Sequence, residues 1–303
     1  MLRLAEAFFV IFAVSILTFA AFSLSPGSVL NTGSRDGGII DPEQVKQERA
    51  DSQKSFLINY SKWAWRFLQF DLGKSKTVYD NVSNVLFEKL KRTLSLTGIG
   101  TFLTILIAVP LAIYCGRHRG GTVDKACTAT SILLLCTPVF FLAITFKYFL
   151  PKIFPLPTSG REEWASYIMP VLAFILSNIS VWFQYQRSAF LDAYHQDFIK
   201  TARSKGLEER YVVWHHAVPN SMLPMITLSS YLLVSLVEGS IVLEKLFSWG
   251  GIAEASVSAL TKGDHYLMAA IVMLSSICLI IGLTISDILY IIVDPRTRKE
   301  NQA

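Results

Sequence analysis

Long apolar runs separated by short polar stretches set the pattern of this chain. A helix needs about 20 mostly apolar residues to cross roughly 30 Å of hydrocarbon. Six runs approach that length, at 7–24, 94–115, 127–150, 167–183, 223–243 and 266–293. Backbone groups within lipid must find partners inside their own segment, so the predicted architecture is an all-α polytopic membrane protein with six transmembrane helices. Lys147 lies near the end of the third run, where its stem can reach the interface, whereas Glu238 and Asp287 lie deeper and must face protein or water. Pro110, Pro138 and Pro170, within or at the starts of runs, predict bent helices packed in a bundle. Gly98 and Gly100, with Thr97, Thr101 and Thr104, give the second run a small-residue face suited to close packing.

Two polar stretches carry patterns of their own. Between the first and second runs, Phe56, Leu57, Tyr60, Trp63, Ala64, Phe67 and Leu68 recur at three-four spacing, predicting an amphipathic helix over 56–70 that Asp71, Leu72 and Gly73 end. A second helix is expected over 81–91, with Val82, Val85, Leu86 and Leu90 on one side. This region either covers the span ends or offers a platform to an extracytoplasmic partner, and spacing alone leaves both readings open. The other stretch is 197–224. No Gly or Pro interrupts 190–202, Asp192 suits the positive end of a helix dipole, Gly206 breaks the pattern, and a second short helix is expected over 208–218 before Pro219 and Pro224. Two short helices meeting at a glycine elbow form a projecting knob.

Composition agrees with a bilayer. The 303 residues are 52% hydrophobic and 17% charged, and mean hydropathy is +0.43. Short connectors differ in basic residues. Arg117, Arg119 and Lys125 lie between runs two and three, and Arg187, Lys200, Arg203, Lys205 and Arg210 between four and five, against Lys152 and Arg161, then Lys245 and Lys262, on the opposite side. The positive-inside rule makes the first set cytoplasmic; Arg3, with Arg296, Arg298 and Lys299, then places both termini in the cytoplasm and 26–93 outside. The net charge of +5 follows from this topology and does not imply nucleic-acid binding. The first run exceeds a signal-peptide core and FAAFSLSPG offers no small-x-small cleavage site, so its retention is expected.

Candidate chemistry is sparse. Cys115, Cys127, Cys136 and Cys278 fall in or beside apolar runs and read as small hydrophobes. His215 and His216 are adjacent, hence about 100° apart on a helix, and His118, His195 and His265 lack ligand spacing, so no metal site is expected. The chain has no Gly-x-x-x-x-Gly-Lys-Ser/Thr loop, His-Glu-x-x-His or Gly-x-Ser-x-Gly, so neither ATP hydrolysis nor an intramembrane enzyme is indicated.

The stretch 197–224 resembles the cytoplasmic loop of ABC importer permeases, EAA, three residues, Gly, nine residues, Ile-x-Leu-Pro. Lys200, Thr201 and Ala202, then Gly206, then His216, Val218 and Pro219 occupy those positions with the glycine-to-proline spacing kept. Lys-Thr for Glu-Ala and His for Ile resemble the variant of the dipeptide, oligopeptide and nickel permeases. The Ser-Pro-Gly exit of the first run, DLGKS at 71–75, PLPTSG at 155–160, IVLEKLFSWGGI at 241–252 and DILYIIVDPRTR at 287–298 resemble further elements of that subfamily, in order. Departures cluster outside, with Ser28-Val29 after Pro-Gly and Lys89-Leu90-Lys91 in place of Arg-Leu-Pro.

The resemblance implies the type I ABC importer permease fold and the B-type subunit. Residues 1–25 would form an N-terminal transmembrane helix and 26–93 an extracytoplasmic loop. Residues 94–293 would form a five-helix core with a coupling loop at 187–222, leaving 294–303 as a cytoplasmic tail. It further implies a bacterial or archaeal cytoplasmic membrane and contact with membrane lipid. The implied partners are a homologous C-type permease, two cytoplasmic ABC ATPase subunits or domains that bind ATP and Mg, and an extracytoplasmic substrate-binding protein; this chain itself would hold no cofactor. The loop would insert into a groove on the ATPase, with Ala202 and Gly206 allowing close approach and Arg203 and Lys205 meeting acidic groove residues. Glu238 and Glu244 are candidate pathway residues, Glu238 alternatively being satisfied at a subunit interface or the membrane edge, and Asp287 and Asp294 are expected to pair with loop arginines. The implied cargo is a short peptide, with nickel, a metal chelate or another small solute as alternatives. A secondary transporter driven by an ion gradient would share the basic-inside pattern but would work without ATPases.

Overall fold

The structure, a computed structural model, describes residues 2–23, 56–161, 163–229 and 232–293. Among them regular structure is helical, apart from one isolated antiparallel bridge between Lys74 and Asn81. The helices are α1 (Leu2–Ser23), α2 (Phe56–Leu68), α3 (Val82–Arg117), α4 (Thr122–Cys136), α5 (Val139–Ile153) and α6 (Ile168–Tyr194). There follow α7 (Asp197–Ser204), α8 (Glu209–Val212), α9 (Val218–Ser221), α10 (Leu223–Ser229), α11 (Leu232–Glu238), α12 (Ile241–Leu246), α13 (Ile252–Lys262) and α14 (His265–Val293). Ser28-Val29, Asp294, Arg296, Arg298 and Lys299 lie outside the described residues.

Among the described residues, three stretches are single helical segments long and apolar enough to cross a membrane: Val82–Arg117, Trp164–Tyr194 and His265–Leu289. The helix expected over 81–91 is not separate, because α3 runs on through it to Arg117. The third expected span is also not straight. α4 and α5 meet at 98°, where Thr137 is extended and Pro138 caps α5. A proline has no N–H and pushes its predecessor out of the α region, so helix and bend part there. The fifth expected span is broken where α11 ends at Glu238 and α12 begins at Ile241; between them Gly239 takes φ +68 and the Ser240 hydroxyl caps α12 by accepting from Leu243 N at 3.4 Å. Within α1, Phe8–Ala21 forms an apolar helical stretch.

Contacts group the described chain into two compact units, which cut across the linear segments expected above: 1–92 with 250–280, and 93–249 with 281–303. In the first, Phe19 meets the rings of Phe56 and Tyr60 at 5.3 and 5.7 Å, and Ser15 Oγ lies 2.7 Å from the Tyr60 hydroxyl. Phe56 and Tyr60 on the apolar face of α2 thus pack on α1, a contact that the spacing alone does not specify. In the same unit the buried Asp264 gathers the DLGKS loop onto the start of α14. Its Oδ2 accepts from Ser75 Oγ at 2.6 Å, Thr77 N at 3.0 Å and Thr77 Oγ1 at 2.8 Å, while Oδ1 accepts from Leu267 N at 3.2 Å.

The second unit is built around α6, which packs on α4 and α5. Gly100 lets the Phe174 ring approach α3, since a Cβ there would fall 2.4 Å from Cδ1, whereas one at Gly98 meets nothing. At one end Leu96, Met169, Leu243, Phe247 and Trp249 form a buried cluster. At the other, Ile113 and Phe190 pack with residues of 197–218.

Candidate functional site

The knob over 197–224 is assembled from three local decisions. The continuous helix expected over 190–202 is broken: α6 ends at Tyr194, Gln196 is extended, and α7 starts afresh. Asp192 therefore lies in the last turn of α6, and Asp197 supplies the acid of the first turn of α7, with its carboxylate 2.9 Å from Lys200 Nζ. At the other end, Gly206 N donates to Arg203 O at 2.9 Å and Leu207 N to Ala202 O at 3.4 Å, with Gly206 at φ +76. This is a Schellman close, whose left-handed residue costs an ordinary L side chain about 1–2 kcal/mol. Beyond the elbow the helix expected over 208–218 is interrupted by a π turn, Val213–Ala217. Pro219 lacks the N–H that an α-helix would direct to the His215 carbonyl, and Asn220 Nδ2 donates to the His216 carbonyl at 2.7 Å.

Amphipathic spacing then orients α7. Ile199 and Ala202 are buried against Ile113, Phe190, Val212, Val213 and Ala217, whereas Lys200, Thr201, Lys205, Gly206 and Pro219 are exposed and His216 is half-buried. Phe198, Tyr211 and Trp214 are exposed on the same segment. Arg203 is the exception to the expected outward basic face. Its Nε and Nη2 donate to Glu209 Oε2 and Oε1 at 3.0 and 2.9 Å, its guanidinium lies 4.6 Å from the centre of the Tyr194 ring, and the Tyr194 hydroxyl donates to Glu209. The arginine fork, then the Tyr194 hydroxyl, hold the Glu209 carboxyl below the usual glutamate range, and Glu209 raises Arg203 in return. An arginine and a glutamate six residues apart across a glycine are visible in sequence; Tyr194, from the preceding helix, is not.

The two glutamates have different surroundings. Glu238 ends α11 and is exposed. Glu244 is 0% exposed and its Oε1 accepts from Thr93 Oγ1 at 2.7 Å. Nothing in the sequence pairs positions 93 and 244. Neither glutamate lines the half-open cavity of about 320 Å³ bordered by α3, α5, α6 and the segment α11–α12, whose wall includes Thr104, Phe174, Asn178, Trp182 and Ser235. His215 stacks on Tyr211 at 4.1 Å, and among the described residues no cluster of His, Cys, Asp and Glu has metal-binding geometry.

Residues 108–299, which contain the knob and both glutamates, match the family described as "Binding-protein-dependent transport system inner membrane component". The oligopeptide transport system permease protein AppB of Bacillus subtilis is 28% identical over 95% of this chain and 95% of its own length. A putative peptide transport system permease protein of Brucella abortus is 29% identical over 98% of this chain and 97% of its own. The nickel import system permease protein NikB of Staphylococcus aureus is 27% identical over 98% and 90%. Among solved structures, a chain of the inward-facing MetNI methionine ABC transporter superposes with a TM-score of 0.58 at 16% identity, over 69% of this chain and 96% of that one. The fold is that of an ABC transporter permease.

Proposed function

Because the chain belongs to the family of binding-protein-dependent transport system inner membrane components, which are membrane permeases and not ATPases, we propose that it is the B-type permease subunit of an importer for short peptides. It works with a C-type permease, two ATPase subunits or domains that carry ATP and Mg, and an extracytoplasmic binding protein that delivers the cargo. Both termini face the cytoplasm, and the pathway lies between the two permeases. The observation that carries this reading is the knob itself, an exposed helix α7 closed by Gly206 and braced by Arg203, Glu209 and Tyr194. A rigid projection transmits a push that a flexible loop would absorb. Lys200, Thr201, Lys205 and Pro219 form its outward surface, Ala202 and Gly206 fix its backbone, and His216 lies on the π turn leading into α9 and α10.

Gly206→Asp tests the knob. The variant is expected to insert and assemble, because a Cβ at 206 meets no atom within 4 Å among the described residues, yet to lose stimulation of ATP hydrolysis by the loaded binding protein. Normal stimulation in the assembled variant complex refutes the coupling role. A second cargo, nickel or a chelate, is favoured by the 27% identity to the nickel import permease, and the ligand carried by the cognate binding protein decides between them.

A further inference from the structure

The cavity between α3, α5, α6 and α11–α12 has a wall whose hydrogen-bonding sense is biased. Three of the five hydroxyls on its described wall, which also includes Thr101 and Ser240, donate to the helices that carry them: Thr104 Oγ1 to Gly100 O at 2.7 Å, Ser177 Oγ to Phe174 O at 2.9 Å and Ser235 Oγ to Leu232 O at 3.0 Å. Back-bonding of this kind leaves each oxygen with lone pairs and no proton to offer. Asn178 has the same bias, since Nδ2 donates to Phe174 O at 2.8 Å and to Ser177 Oγ at 3.1 Å, which leaves Oδ1 as its acceptor. Ser240 differs, its Oγ accepting from Leu243 N. Phe174 and Trp182 add two aromatic surfaces, and among the described residues no charged side chain lines the space. The C-terminal end of α11, the negative end of its dipole, abuts it at Gly239.

Acceptors and ring faces together solvate a donor-rich cation. We propose that this cavity is a transient subsite for a primary alkylammonium group, such as the amino terminus of a peptide. The proposal deepens the reading of the chain as a peptide permease and rests on it. With no carboxylate among the described residues of its wall, the subsite orients a cation without trapping it, as passage requires. A volume of about 320 Å³ takes an ammonium with one or two residues of chain and lies at the low end of ordinary ligand pockets.

The test uses the full-length chain assembled with its partner subunits in nanodiscs, without binding protein. The signal of Trp182 is the difference between the fluorescence of this complex and that of a Trp182→Phe complex. Alaninamide, a cation, is expected to give a saturable change, and N-acetylalanine, an anion of similar size, none. N-acetyl-lysinamide distinguishes a side-chain ammonium from an α-ammonium. Asn178→Asp should tighten alaninamide at least tenfold and Ser235→Lys weaken it at least tenfold, a pair of opposite shifts that a packing defect does not produce. Equal responses to alaninamide and N-acetylalanine, no saturable response, or a response to Ni²⁺ alone overturns the proposal. Because the measurement needs no transport, a complex that binds alaninamide but imports no peptide refutes the importer reading and leaves the ammonium subsite standing.

Discussion

Glu209 is the residue whose charge matters most to the knob. Its carboxyl is held below the usual glutamate range by Arg203 and then Tyr194, so the native state binds its proton less readily than the unfolded chain. The resulting stabilisation is fully present above the ordinary glutamate value, about 4.3, and is lost as pH falls through the lower native value. The pair is more than one-third exposed on both sides, so about 0.2–1 kcal/mol is at stake. Protection of amides 203–209 relative to their intrinsic exchange should fall below about pH 4, and Glu209→Gln should show the lower protection at neutral pH with no further loss in acid. Unchanged protection in Glu209→Gln refutes the brace. Sequence could propose this pair across Gly206 but not the tyrosine that completes it, because Tyr194 reaches Glu209 only after α6 stops and the chain restarts as α7.

At the scale of elements, the divided segment α11–α12 depends on a glycine that two neighbours crowd. A Cβ at position 239 would lie 2.4 Å from Glu244 Oε1 and 2.7 Å from Thr93 Cγ2, with φ at +68. Gly239→Ala must therefore displace a buried carboxylate as well as strain the backbone. A loss of about 1–3 kcal/mol for the disturbed hydrogen bond, plus about 1–2 kcal/mol for the conformation, should appear as a lower unfolding midpoint in detergent. Gly98→Ala, which meets no atom within 4 Å among the described residues, should leave the midpoint within error. Equal midpoints for the two variants refute this account of the break. The three-four apolar spacing of α2 and the long apolar run of α14 were legible in the sequence. The break at Gly239 was not, because an apolar run says only that a segment is buried or in lipid and the Thr93–Glu244 contact joins residues far apart in sequence. Pro138 announced a bend but not its angle, which neighbouring helices set.

For the whole molecule, uptake should require the partner ATPases. Disabling their nucleotide site is expected to abolish uptake in proteoliposomes, whereas uptake by this chain alone would establish an ion-driven carrier. Family and fold were legible because the matching motifs recur in order along nearly the whole chain. The two compact units were not, since residues 250–280 join the first unit across more than 150 positions of sequence. Asp264 shows what that grouping entails. Its Oδ2 is already an acceptor for three donors of the loop around Ser75 and Thr77, and its Oδ1 caps the first turn of α14. Loop and helix are therefore written as one cassette at two distant addresses, and a chimera that borrows 71–81 from a relative has to borrow 264–267 with it.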